Sequence, residues 1–107
     1  MSQVKEITVQ ELKEWKDSGK EFQLIDVRDP HEYEFVNLGG ELIPLADILG
    51  QAEKVNREGD VVVHCRSGAR SANAILYLQD MGYTNLLNLK GGILAYAQEI
   101  DTSLPQY

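Results

Sequence analysis

Val61-Val62-Val63-His64-Cys65-Arg66-Ser67-Gly68-Ala69-Arg70-Ser71 is the stretch on which the reading of this chain turns. Its β-branched opening, up to His64, has the composition of a central strand buried on both faces. Gly68 marks a turn. From Ser71 to Met81 the pattern predicts a helix, with Ala72, Ile75, Leu76 and Gln79 on one face and Gly82 as its stop. Strand, short loop and helix in that order are half of a parallel β-α-β unit.

The flanks repeat the alternation. Thr8 and Glu11 have capping-box spacing and open a helix, with Ile7 and Leu12 as its hydrophobic staple and Gly19 as its stop. Phe22 to Val27 reads as a buried strand. Asp29-Pro30-His31-Glu32 reads as an N-cap, a proline at the first helical position and an acidic first turn. Leu42-Ile43 is a short strand. Leu45, Ile48, Leu49, Ala52 and Val55 predict an amphipathic helix. Asn85 to Leu89 is a last strand, followed by Gly91-Gly92 and a helix from Ile93. The expected fold is α/β, one domain over 1–107, with a small parallel sheet flanked by helices on both faces. In such sheets, sites lie at the carboxyl ends of strands, which is where Cys65 falls.

Composition narrows the function. The 107 residues carry 10 basic and 17 acidic side chains, a net charge of −7. That balance argues against nucleic acid or an anionic membrane as a partner, since both call for a basic face. Cys65 is the only cysteine, so no intrachain disulfide is expected, and no Cys/His cluster has structural-zinc spacing. The start, Met1-Ser2-Gln3-Val4-Lys5-Glu6, has no apolar run of signal-peptide type, and no stretch approaches the length of a membrane span. The cytosol is the expected compartment.

The loop itself carries chemistry. Amides of a turn between strand and helix form a nest for an anion, and the helix end adds partial positive charge. Arg66 and Arg70 add full charges, and Gly68 permits the backbone angles a turn demands. A cysteine at the base of this cradle ionises readily, and the thiolate is the reactive form. Ser67 and Ser71 can donate to bound sulfur or anion, although Ser71 reads first as a helix cap. His64 points away from Cys65 by strand alternation and is expected to be packed and hydrogen-bonded. Two chemistries fit the cradle. Tyrosine phosphatases place five residues between cysteine and arginine. Only Arg66, Ser67, Gly68 and Ala69 separate Cys65 from Arg70, a bowl better suited to one sulfur atom than to a phosphoryl group.

Over 7–107 the sequence resembles the rhodanese homology family. The matching pieces are Leu24-Ile25-Asp26-Val27-Arg28, Glu32-Tyr33-Glu34, Val63 to Ser71, Leu78 to Tyr83, and Leu89-Lys90-Gly91-Gly92-Ile93 with Ala95-Tyr96. The resemblance implies a rhodanese-like fold, a six-residue active loop from Cys65 to Arg70, and a persulfide on Cys65. It implies a sulfurtransferase of the thiosulfate type, with Cys65 catalytic and Arg66, Ser67, Gly68, Ala69 and Arg70 binding the donor. Asp26 and Arg28 take a structural role beside the site, with Ser71. No metal or organic cofactor is implied. A small anionic donor such as thiosulfate is expected, with a cysteine desulfurase or a sulfur-carrier protein as possible partners. The ending, Ile100-Asp101 to Pro105-Gln106-Tyr107, is similar to that of rhodanese domains fused to sulfur-carrier-activating enzymes. Two other readings stand beside this one. They are a small cysteine phosphatase or arsenate reductase, and a non-catalytic rhodanese-fold interaction domain. The lack of a second cysteine argues against a resolving step, and the presence of Cys65 argues against the interaction domain. The chain departs from the family at Asn37-Leu38-Gly39-Gly40-Glu41-Leu42-Ile43-Pro44, where Gly-His-Ile-Pro-Gly-Ala is common, and at Tyr96, where tryptophan is usual.

Overall fold

The computed structural model describes residues 3–107. The N-terminal reading above includes Met1 and Ser2, which lie outside them. Five strands form one parallel sheet: β1 (Glu6–Ile7), β2 (Gln23–Asp26), β3 (Glu41–Leu42), β4 (Val61–His64) and β5 (Leu86–Leu89), in the order β1-β5-β4-β2-β3. Every residue of β4 is buried, as its apolar run requires of a central strand. Alternation along β4 divides the core. Val61, Val63 and Cys65 pack on one face with Ala74, Ile75 and Leu78 of α3 (Ala69–Asp80). Val62 packs on the other with Leu12 of α1 (Val9–Ser18) and with Ile93 and Tyr96 of α4 (Gly92–Glu99). The helices thus cover both faces, as expected.

The chain leaves β2 toward β3 at one edge and leaves β4 toward β5 on the other side. A crevice therefore opens between the carboxyl ends of β2 and β4, the usual ligand position in such sheets. Asp26 and His64 face each other across that register, and Cys65 follows directly. A fourth helix, α2 (Pro30–Phe35), leaves β2 beside the crevice.

Local signals hold at several ends. The Thr8 amide donates to Glu11 Oε1 at 3.0 Å, and the Glu11 amide donates to Thr8 Oγ1 at 3.1 Å, the expected capping box. Two expectations need correction. The Leu45–Val55 segment is not an α-helix but two 3₁₀ turns, Leu45–Asp47 and Ala52–Lys54. Leu45/Ile48 and Ala52/Val55 are each three apart, the 3₁₀ period. The spacing of four from Ile48 to Ala52 spans the junction between the two turns, and Leu49, four residues after Leu45, is exposed. The buried face of α3 is Ser71, Ala74, Ile75 and Leu78, one residue out of phase with the expected one, and Leu76 faces solvent.

Candidate active site

β4 delivers Cys65 to the floor of the crevice, where the residue is only 1% exposed. Gly68 caps α3 with φ 113°, a left-handed angle that a side chain would strain. This angle turns the Gly68 amide onto Cys65 Sγ at 3.1 Å, and the Ser71 hydroxyl approaches the same sulfur at 3.4 Å. The back of the loop is held by α4. Its Ile93 amide donates to Cys65 O, and its Leu94 amide to Arg66 O, both at 3.0 Å. In a planar trans peptide the N–H points opposite to the C=O. Binding those two carbonyls to α4 therefore turns the Arg66 and Ser67 amides the other way, into the bowl. Gly92 makes this approach possible, because a Cβ there would lie 2.4 Å from Arg66 O and 2.6 Å from Cys65 O. The turn read from Gly91-Gly92 is thus also the seat of the loop.

Burial pushes the Cys65 thiol up. The Ser71 hydroxyl and the amides of Ser71, Gly68 and Ser67 outweigh it and bring the thiol below its ordinary value. Ser71 lies inside α3, with Gly68 as the cap, so it does not cap the helix as the sequence suggested. Its hydroxyl lies 2.5 Å from Asn88 Oδ1 and 3.2 Å from Gly68 O.

Both loop arginines have partners. Arg70 makes a two-pronged pair with Glu32, Nη1 to Oε1 at 2.7 Å and Nη2 to Oε2 at 2.9 Å. The Tyr107 hydroxyl donates to Glu32 Oε2 at 2.6 Å, and the Asp29 amide to Oε1 at 3.1 Å. Arg66 donates through Nε and Nη2 to the Tyr107 carbonyl and lies over its ring. Behind them, Asp26, Arg28 and His64 are fully buried. Arg28 donates through Nε and Nη2 to the Asp26 carboxylate at 2.6–3.1 Å, through Nη2 to Val36 O at 2.7 Å, and through Nη1 to the Tyr107 hydroxyl at 2.8 Å. His64 points away from Cys65, as alternation requires. Its Nδ1 lies 3.4 Å from Cys65 O, while Nε2 lies 3.7 Å from Asp26 Oδ2 without a hydrogen bond. Burial holds the imidazole below its ordinary value, toward the neutral form.

Glu32, Asn88 and Tyr107 belong to this site but were not singled out from sequence. Only Glu32 carried a local signal, the capping spacing from Asp29. Among the described residues, Asp29, His31 and Glu32 bring metal-ligating atoms together. Arg70, Tyr107 and the Asp29 amide already engage the Glu32 oxygens, so the group offers a cation little. Beside it, His31, Glu32, Phe35 and Tyr107 line an open groove of about 390 Å³.

The Glu32 pair predicts a pH dependence. Hydrogen bonds from Arg70, opposed by burial and reinforced by Tyr107 and the Asp29 amide, hold the Glu32 carboxyl well below its ordinary 4.5. A carboxyl lowered in the folded state stabilises it fully above the unfolded value, and that stability is lost as pH falls toward the folded value. Glu32→Gln should therefore be less stable than the native chain near neutrality, with a gap that narrows steadily below about pH 4.5. Urea titrations of both proteins at a series of pH values measure it. A gap that widens on acidification contradicts the pairing.

Comparison with known proteins finds the rhodanese-like domain over residues 8–99. The chain belongs to the rhodanese-like domain family. A sulfurtransferase of Allochromatium vinosum is 36% identical to this rhodanese-like domain over 101 residues, covering 89% of this chain and 90% of that protein. The probable adenylyltransferase/sulfurtransferase MoeZ of Mycobacterium tuberculosis is also 36% identical, over 94% of this chain, but the match spans only 26% of that longer protein. Among solved structures, a rhodanese-like domain protein of Staphylococcus aureus superposes with a TM-score of 0.82 at 30% identity, covering 97% of this chain and 99% of that one. No helix among the described residues is long and apolar enough to cross a membrane.

Proposed function

We propose that this rhodanese-like domain is a sulfurtransferase that carries sulfane sulfur as a persulfide on Cys65. The observation that carries the reading is the Cys65 sulfur itself, buried at the base of a strand-to-helix turn with the Gly68 amide and the Ser71 hydroxyl directed at it. Relatives of similar length named sulfurtransferases, from Allochromatium vinosum and Bacillus subtilis, support it.

The Cys65 thiolate attacks the outer sulfur of thiosulfate. A sulfur–sulfur bond forms on Cys65 as the donor's bond breaks, and sulfite leaves with the electron pair. The terminal sulfur keeps the negative charge, and the inward amides of Arg66, Ser67 and Gly68 stabilise it. A thiolate acceptor, or cyanide, then takes that sulfur and restores the Cys65 thiolate. The bonds of Arg66 to Tyr107 use Nε and Nη2, which leaves Nη1 to meet the donor anion. Arg70 shapes the rim with its charge offset by Glu32, so Arg66 is the stronger donor contact. Asp26, Arg28 and Ser71 support the loop. No metal or organic cofactor enters these steps. A persulfide on a cysteine desulfurase would serve as donor in the cytosol. A sulfur-carrier protein would serve as acceptor, a role suggested by similarity to MoeZ and to a putative sulfur carrier protein of Bacillus subtilis.

Intact mass spectrometry tests the carrier step. The chain should gain the mass of one sulfur atom on incubation with thiosulfate and lose it on addition of cyanide. A folded chain that gains no sulfur from thiosulfate or from a persulfide donor overturns the proposal.

A further inference from the structure

The Ser71 hydroxyl has one proton and three acceptors around it. They are Asn88 Oδ1 at 2.5 Å, Gly68 O at 3.2 Å and Cys65 Sγ at 3.4 Å. Gly68 O is already satisfied by the Ala72 amide and by Asn88 Nδ2, both at 3.1 Å. The contest is therefore between Asn88 and the sulfur. Asn88 cannot turn its amide over, because Nδ2 is committed to the Gly68 carbonyl and Oδ1 must face Ser71. Its backbone is fixed as well, in β5, where its amide donates to Lys5 O at 2.8 Å. Asn88 and Ser71 are both buried, so water does not substitute for either partner.

We propose that Asn88 is a positioning residue for Cys65, offering the Ser71 hydroxyl a second acceptor. The proton faces the sulfur when Cys65 is a thiolate. It faces Asn88 when Sγ carries a proton or a second sulfur. In the thiolate state a charge-assisted hydrogen bond favours the sulfur. Once Sγ is bonded to another sulfur it is neutral and a poor acceptor, and the hydroxyl turns to Asn88 without being left unsatisfied. Asn88 thereby favours the thiol and the loaded forms of Cys65 relative to the bare thiolate. The inference deepens the sulfur-carrier reading and rests on Cys65 being its reactive group.

The test is the pH profile of Cys65 alkylation by iodoacetamide, a small neutral reagent, in four proteins: native, Asn88→Ala, Ser71→Ala and the double variant. Removing Asn88 frees the Ser71 proton for the sulfur, so Asn88→Ala should lower the alkylation midpoint by about half to one pH unit. Ser71→Ala should raise it. In the Ser71→Ala background the Asn88 substitution should have no further effect. Asn88→Val, which suits a strand and fills most of the same space, is the second variant, with the same expected direction. A midpoint that rises or does not move in the Asn88 variants, or a shift of equal size without Ser71, overturns the proposal. Alkylation involves no sulfane sulfur, so failure of the transfer reading shows separately, as a chain that alkylates but accepts no sulfur from a donor.

Discussion

Replacing Cys65 by serine will abolish transfer of sulfur from thiosulfate to cyanide while leaving the fold in place. The change is one atom, at a residue 1% exposed. The Gly68 amide and the Ser71 hydroxyl that meet the sulfur can meet an oxygen as well. Folding stability should therefore move by no more than about 1 kcal/mol. Reactivity should not survive. The turn brings a thiol below its ordinary value, but a serine hydroxyl begins so much higher that the same donors leave it protonated. An oxygen nucleophile also gives no persulfide. Removing the nucleophile of a covalent mechanism typically lowers turnover by more than about a thousandfold. Turnover and circular dichroism on the same sample decide the matter. A native-like spectrum with substantial transfer would place the sulfur on another group.

The second large effect is on stability. Arg28→Met should cost about 3–5 kcal/mol, because it leaves the Asp26 carboxylate buried without its partner. The geometry argues for the upper part of that range. Arg28 is fully buried, and Val36 O and the Tyr107 hydroxyl lose their donor at the same time. The double change Arg28→Met with Asp26→Asn should recover much of the loss, since it removes the stranded charge. Chemical denaturation of the three proteins reads both numbers. A single variant within about 1 kcal/mol of native would mean that the pair does not brace this end of the sheet.

The two predictions mark the limits of what the sequence reveals. Cys65 was legible because its signals are contiguous. A run of three valines, a glycine turn and a helix leave little choice about where the thiol falls. The capping box at Thr8 and Glu11 was legible for the same reason. Leu45 to Val55 was misread because spacings of three suit both the α and the 3₁₀ period, and the spacings of four at Leu45/Leu49 and Ile48/Ala52 read as a continuous α-helix where two short turns meet. The face of α3 was misread because Ser71 and Ala74 are small and carry little hydrophobic signal, yet both are fully buried. The rest of the site depends on pairings across the chain. Glu32 meets Arg70 from 38 positions away, and Asn88 meets Ser71 from 17. No local period encodes such a meeting. A resemblance covering the whole site suggested a support role for Asp26 and Arg28. It did not suggest that both loop arginines would already be engaged.

The seat that Gly92 provides for the loop sets an order of events during synthesis. The carbonyls of Cys65 and Arg66 take their positions from amides at 93 and 94, and Ser71 takes its partner from residue 88. A ribosome that has just released Ser71 from its exit tunnel has delivered the cysteine but not the parts that arrange the bowl around it. The nascent chain therefore carries the thiol without the contacts from residues 88, 93 and 94 that fix its surroundings. The bowl around the sulfur is complete only when α4 docks, so a chain truncated before it lacks the arrangement on which the proposed sulfur transfer depends.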